Sequence, residues 1–189
     1  ANHPPFRILA EDWDAVCDIW LELFAKPGYV TVDDRPLLII YHPHQFIETF
    51  GSPKELRPAL AALRRKARAA GLGETLVAAC SASFSPSIVE AGYDCFTGYN
   101  YRGAVRLERG ASSTYAMLRD RHEAIWRDFA DNSPLSYLPL ATAGWDNRPR
   151  TPEQNMSKPF FWFAPPTPQE LAEHVERALY WSDAHPDKS

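Results

Sequence analysis

Cysteine is scarce in this sequence: Cys17, Cys80 and Cys95 are scattered among 189 residues, odd in number and without a CxxC pair. That pattern speaks against a disulfide framework and against a thiolate metal site. Their apolar sequence neighbours make buried, inert thiols the expected state. An excess of charge is missing as well. Twenty Lys and Arg stand against twenty-four Asp and Glu, a formal net charge of -4, which offers no electrostatic footprint for nucleic acid or an anionic membrane. No apolar run approaches the roughly 20 residues of a membrane-spanning helix. No basic stretch followed by an apolar one marks a signal peptide; the chain starts at Ala1, so cytoplasmic and secreted locations both stay open. Neither GxGxxG nor GxxxxGK[ST] follows any apolar run, which weakens nucleotide-binding folds, and GxSxG is absent.

What is present is ordinary in bulk. The chain is 45% apolar and 23% charged, the composition of a soluble globular protein long enough for one domain with a substantial core. A single domain over residues 1–189 is expected. Aromatic residues make up 13%, with six Trp and eight Tyr. Flat rings of that kind serve sugar-binding clefts and cores alike.

Helical and extended patterns alternate. Trp13, Val16, Ile19, Trp20, Leu23 and Phe24 follow helical spacing over 12–24, and Lys26-Pro27-Gly28 ends that helix. After a polar turn at Asp33-Asp34, the unbroken apolar run 36–41 reads as a strand buried on both faces. Ser52-Pro53-Lys54-Glu55 opens a helix as a capping box, with Leu56, Leu60, Leu63 and Ala67 on its buried face and Gly71 at its end. A second buried strand over 75–80 is followed by a short helix from Pro86 to near Gly92, then a brief strand over 93–96. A long helix runs through Tyr115, Leu118, His122, Ile125, Trp126 and Phe129. Residues 138–143 read as a fourth strand. Thr167-Pro168-Gln169-Glu170 repeats the capping box, with Leu171, Val175 and Leu179 as the expected buried stripe. Repeated βα units with continuous apolar strands predict an α/β fold with a parallel sheet. A (β/α)8 TIM-barrel type is favoured. Because a full barrel takes about 250 residues and eight strands, a partial barrel of about four βα units is expected.

In parallel βα folds the functional side chains gather at the carboxyl ends of strands. Those ends carry Tyr41, His42 and His44; Ser81, Ser83 and Ser85; Tyr99, Asn100, Tyr101 and Arg102; and Trp145, Asp146, Asn147, Arg148 and Arg150. Rings, amides and guanidiniums together suit a neutral polyhydroxylated ligand. The candidate binding residues are therefore Tyr41, His42, Tyr99, Tyr101, Trp145, Asp146, Asn147 and Arg148. A self-paired structural loop is the alternative for 145–150, but Trp, Asp, Asn and Arg at one strand end are hard to explain by stability alone. His42 and His44 lack a third partner of metal-ligand spacing, so no metal is expected. His122 is read as packing or surface, and the run Phe160–Phe163 as an apolar plug, with sugar stacking by its rings as the alternative. Glycoside hydrolysis needs two carboxyl groups flanking the bond. Asp146 is the one obvious candidate at these strand ends, with Asp94 inside its strand.

The run Gly144-Trp145-Asp146-Asn147-Arg148-Pro149-Arg150, preceded by Tyr137-Leu138-Pro139-Leu140, resembles the GWDNTPR signature of WbsX-type proteins. These are often labelled glycosyltransferases of polysaccharide gene clusters and are related to glycoside hydrolase family 99. Gly28-Tyr29, the stretch 34–41 and Ala91-Gly92-Tyr93-Asp94 fit the family in order, and Arg148 stands where the family usually has Thr. The resemblance implies a (β/α)8 barrel acting on α-linked, mannose-like glycans without a cofactor. It also implies an acidic N-E-x-x-E-G motif on the last strand, beyond the helix ending near Trp181. The chain is thus expected to hold the fourth to seventh βα units, with no catalytic residue of its own. The remaining barrel strands or a second copy would be its partners. The leading reading is a hydrolase of this type. A polysaccharide glycosyltransferase and a non-catalytic glycan-binding scaffold are the alternatives.

Overall fold

The computed structural model describes residues 8–100, 112–146, 148–150 and 162–188. They form a mixed α/β protein in two compact units, one made of residues up to 81 with 85–96, the other of 82–84 with 97–189.

In the first unit, helix α1 (Trp13–Phe24) buries Trp13, Cys17 and Phe24. Ile19 and Leu23, expected inside, are 58% and 47% exposed. The large side chain at the start of the helix decides its rotation. The Trp13 indole donates to the Ala59 carbonyl at 3.0 Å and meets the rings of Trp20, Phe46 and Phe50, which turns Cys17 inward and the two aliphatics out. Strands β1 (Thr31–Val32) and β2 (Arg35–Ile40) form an antiparallel hairpin across Asp33-Asp34. Both aspartates have positive φ, the conformation a two-residue hairpin turn demands. β2 runs parallel to β3 (Leu76–Cys80), with Leu37 opposite Leu76 and Ile40 opposite Ala79. β4 (Cys95–Thr97) lies next to β3.

Parallel neighbours need a crossover. Helices α2 (Pro43–Phe50) and α3 (Pro53–Ala69) join β2 to β3, and α4 (Pro86–Ala91) joins β3 to β4. In α3 the Ser52 hydroxyl accepts the Glu55 N–H and Leu56, Leu60, Leu63 and Ala67 are fully buried, as the pattern predicts. The capping box is only half made: the Glu55 carboxylate accepts the Ser52 hydroxyl at 2.9 Å and not the Ser52 backbone N–H. β3 is buried on both faces, with Val77, Ala78 and Ala79 at 0%. β2 corrects the expectation: Leu38 is buried, while Ile39 on the opposite face is half exposed and opens onto a cleft. Asp94 ties the unit together. One of its oxygens accepts the Val77 N–H at 2.7 Å and Arg64 Nη2 at 2.8 Å, and Arg64 also donates to the Gly92 carbonyl.

In the second unit, α5 (Tyr115–Asn132) is capped by Thr114 and buries all six positions picked from its periodicity. β6 is only Ser136–Tyr137. The strand expected over 138–143 does not form. Pro139 lacks a ladder donor, and side chains take the carbonyls instead. Leu138 accepts from the Thr97 hydroxyl and Thr142 from the Tyr115 phenol, while Leu140 lies 3.3 Å from His122 Nδ1. α6 (Pro168–Ala184) begins with a complete Thr167/Glu170 capping box. Its buried line is His174, Ala178 and Trp181, whereas Val175 and Leu179 of the expected stripe are 44% and 63% exposed. Aromatic anchors set this register. The His174 ring stacks on Trp126 and bonds the Tyr115 hydroxyl at 3.0 Å, and Trp181 meets Tyr137 edge-on.

His122 and His174 are both fully buried, with ring centroids 6.2 Å apart. Loss of hydration pulls each down to about 4. All three cysteines are free; burial pushes Cys17 and Cys80 up to about 11 and Cys95 up to about 12. Among the described residues no helix is long and apolar enough to cross a membrane, and no group of three His, Cys, Asp or Glu could hold a metal ion.

Candidate functional site

The first unit holds Tyr41 and His42, at the carboxyl end of β2 as expected. The Tyr41 ring, half exposed, lies 4.2 Å from the His42 ring. His42 occupies the N-cap position of α2, where its carbonyl accepts the Phe46 N–H. The two line an open cleft of about 250 Å³ with Ile8, Ile39, Gln45 and Thr49. His44 lies inside α2 and does not line that cleft.

The second unit brings Tyr99, Trp145, Asp146 and Arg148 together. Tyr101 and Asn147 lie outside the described residues, as do Phe160 and Phe161. The local backbone explains the grouping. Thr142 Oγ1 accepts the Gly144 N–H, and Gly144 adopts φ +111°, a conformation that strains any residue with a side chain. That turn delivers Trp145 and Asp146 alongside β7 (Trp162–Phe163): the Phe163 N–H donates to the Trp145 carbonyl at 2.9 Å, and Asp146 bridges to Trp162. β7 in turn runs parallel to β5 (Ser112–Ser113). The Tyr99 ring stands edge-on to Trp145 at 6.4 Å, and the Asn100 amide faces the Gly144 carbonyl at 3.5 Å.

Asp146 and Arg148 are interlocked. The Asp146 carboxylate accepts the Arg148 backbone N–H at 2.9 Å, Nε at 3.0 Å to each oxygen, and Nη2 at 2.7 Å. The side chain thereby starts the turn Arg148–Arg150. These bonds hold the Asp146 carboxyl below the usual carboxylate range and raise Arg148 further above its own. The Arg148 guanidinium lies over the Trp162 ring at 4.3 Å from its centroid. A cleft of about 360 Å³ opens beside the pair, between residues 143–146 and 148 on one side and Phe163 and Pro165 on the other.

Self-pairing of Asp146 with Arg148 is thus real, and it engages both oxygens of the carboxylate. The pairing leaves half of the guanidinium side chain exposed. Asp94, the other carboxylate singled out by sequence, is committed to Val77 and Arg64. Trp162, read from the sequence within an apolar plug, has its ring under the Arg148 guanidinium. Its run of aromatic neighbours signals burial first, and only the folded position of the guanidinium over the ring shows that it floors the arginine.

A family model described as "Glycosyltransferase WbsX" matches residues 7–188. No curated protein and no solved structure matches the chain.

Proposed function

Given a match that runs through nearly its whole length, the chain belongs to the family described as glycosyltransferase WbsX, and we propose that it supplies the sugar-holding part of a carbohydrate-active enzyme working on a polysaccharide. One observation carries this reading. A guanidinium fixed by Asp146 and Trp162 shares an open cleft with Trp145, whose ring meets Tyr99 edge-on. Directional donors next to apolar ring faces are what a polyhydroxylated ring requires. Tyr101 and Asn147 are proposed as further sugar contacts of the second unit, and Tyr41 and His42 as sugar contacts of the first.

The scaffold is proposed to be part of a (β/α) barrel, supported by the parallel β2–β3 pair with its helical crossover and by Tyr41 and His42 at the carboxyl end of β2. The reaction is transfer of a glycosyl unit, to water in the hydrolase form and to an acceptor hydroxyl in the transferase form. Either would operate on α-linked, mannose-like units. With Asp146 bound through both oxygens, the carboxyl pair that hydrolysis demands is proposed to lie outside this chain.

The two forms separate in one experiment on the full-length protein, incubated with α-linked oligosaccharides with and without a nucleotide sugar and followed by mass spectrometry. Shortened products without a donor establish the hydrolase, and donor-dependent lengthened products establish the transferase. Glycan binding without either product leaves a non-catalytic glycan-binding protein. Absence of both product and binding overturns the proposal.

A further inference from the structure

Arg148 is ordered before any ligand arrives. Asp146 occupies its Nε and Nη2 edge through three bonds, and Trp162 covers one face. A long flexible side chain fixed in this way has already given up the rotamer freedom that binding would otherwise cost. What remains is the outer edge: both protons of Nη1 and the second proton of Nη2. Among the described residues that edge makes no hydrogen bond, and the side chain is 51% exposed beside the cleft of Trp145, Phe163 and Pro165. Two parallel N–H donors match two neighbouring acceptor oxygens.

Neighbouring oxygens occur in a vicinal diol and in a carboxylate, and charge decides between them. A carboxylate docked on the outer edge would sit roughly 4 Å from the guanidinium and about 6 Å from the Asp146 carboxylate. Since Coulomb energy falls as 1/r, repulsion from Asp146 would cancel about two-thirds of the attraction to Arg148. An anion would therefore lose its hydration for a small return. A diol carries no charge to dehydrate and uses both donors in full.

We propose that Arg148 reads a vicinal diol of an uncharged pyranoside, and that Asp146 acts as a positioning residue which sets this preference by neutralising it. The inference rests on the sugar-site reading above and specifies the substrate class of that site.

The test compares methyl hexosides of glucose, galactose and mannose with their uronate counterparts, each titrated against the full chain by ligand-observed NMR. The wild-type protein is expected to bind at least one hexoside more tightly than its uronate. Arg148→Thr should weaken that hexoside about tenfold. Asp146→Asn frees the charge of Arg148 and should move the hexoside-to-uronate ratio about five- to tenfold toward the uronate, a change that loss of structure alone would not give. The wild-type ratio needs no variant, so the test stands even if Asp146→Asn does not fold. Tighter binding of uronates by the wild type, or unchanged binding by Arg148→Thr, would overturn this inference and leave the sugar site intact. No binding of either class by a cooperatively melting wild-type chain would overturn both.

Discussion

Two aspartates invited a chemical role when read from sequence, and both turn out to be held by an arginine. Asp94 receives the Val77 N–H and the mostly buried Arg64. Removing its carboxylate strands a buried donor and a cation, so Asp94→Ala should cost about 2–3 kcal/mol in urea unfolding. Asp94→Asn keeps an acceptor for Val77 and should cost clearly less; equal losses from both would refute this account. The cysteines make a second prediction. With midpoints pushed to about 11 or 12, well under one thiol in a thousand is thiolate at pH 7.5. Labelling by a thiol reagent should then wait for unfolding, and rapid reaction of native Cys80 would show the site to be more open than described.

Among the elements, α5 and α6 show when hydrophobic periodicity suffices. α5 carries one apolar stripe, and all six of its positions are buried. α6 carries two stripes one residue apart, Leu171-Val175-Leu179 and His174-Ala178-Trp181, and the aliphatic count favours the wrong one. Rings decide, because the His174 stack on Trp126 and the edge-on contact of Trp181 with Tyr137 need partners distant in sequence. Trp181→Ala should therefore cost about 3–5 kcal/mol, while Leu179→Ser should stay within about 0.5 kcal/mol. Reversed magnitudes in thermal unfolding would restore the aliphatic stripe. Thr167→Ala, which removes the cap, should cost about 1 kcal/mol.

For the molecule as a whole, the histidine pair of the second unit sets an acid limit. Their ordinary midpoint near 6.5 falls to about 4 in the fold, so the unfolded chain binds more protons between those values. Stability is fully present above about pH 6.5 and declines as pH falls toward 4, by at most about 3 kcal/mol for each histidine. Arg121 opposes the cation at His122, and Arg119 and Arg177 oppose it at His174, where Asp120 favours it weakly. A His122→Phe, His174→Phe variant should lose most of this slope between pH 6.5 and 4.5; an unaltered slope would place the acid sensitivity elsewhere. Exposed Ile19 and Leu23 in one unit, and Val175, Leu179 and Tyr180 in the other, favour self-association. Sedimentation should show species larger than one chain, and a clean monomer at high concentration would contradict it.

The amino-acid sequence by itself determined the features that depend on near neighbours. Caps at Ser52 and Thr167, the Asp33-Asp34 turn, the α3 and α5 core lines and strand β3 follow from side chains within a few residues. The clustering of Trp145, Asp146 and Arg148 was legible for the same reason. Tertiary structure alone decided which way α1 and α6 face, and that residues 138–143 give their carbonyls to side chains instead of a ladder. It also decided that the Trp145–Arg148 cluster holds an Asp146–Arg148 clamp floored by Trp162. Apart from the Asp146–Arg148 pair itself, each of these rests on a partner brought from far along the chain, and no local pattern encodes such a partner.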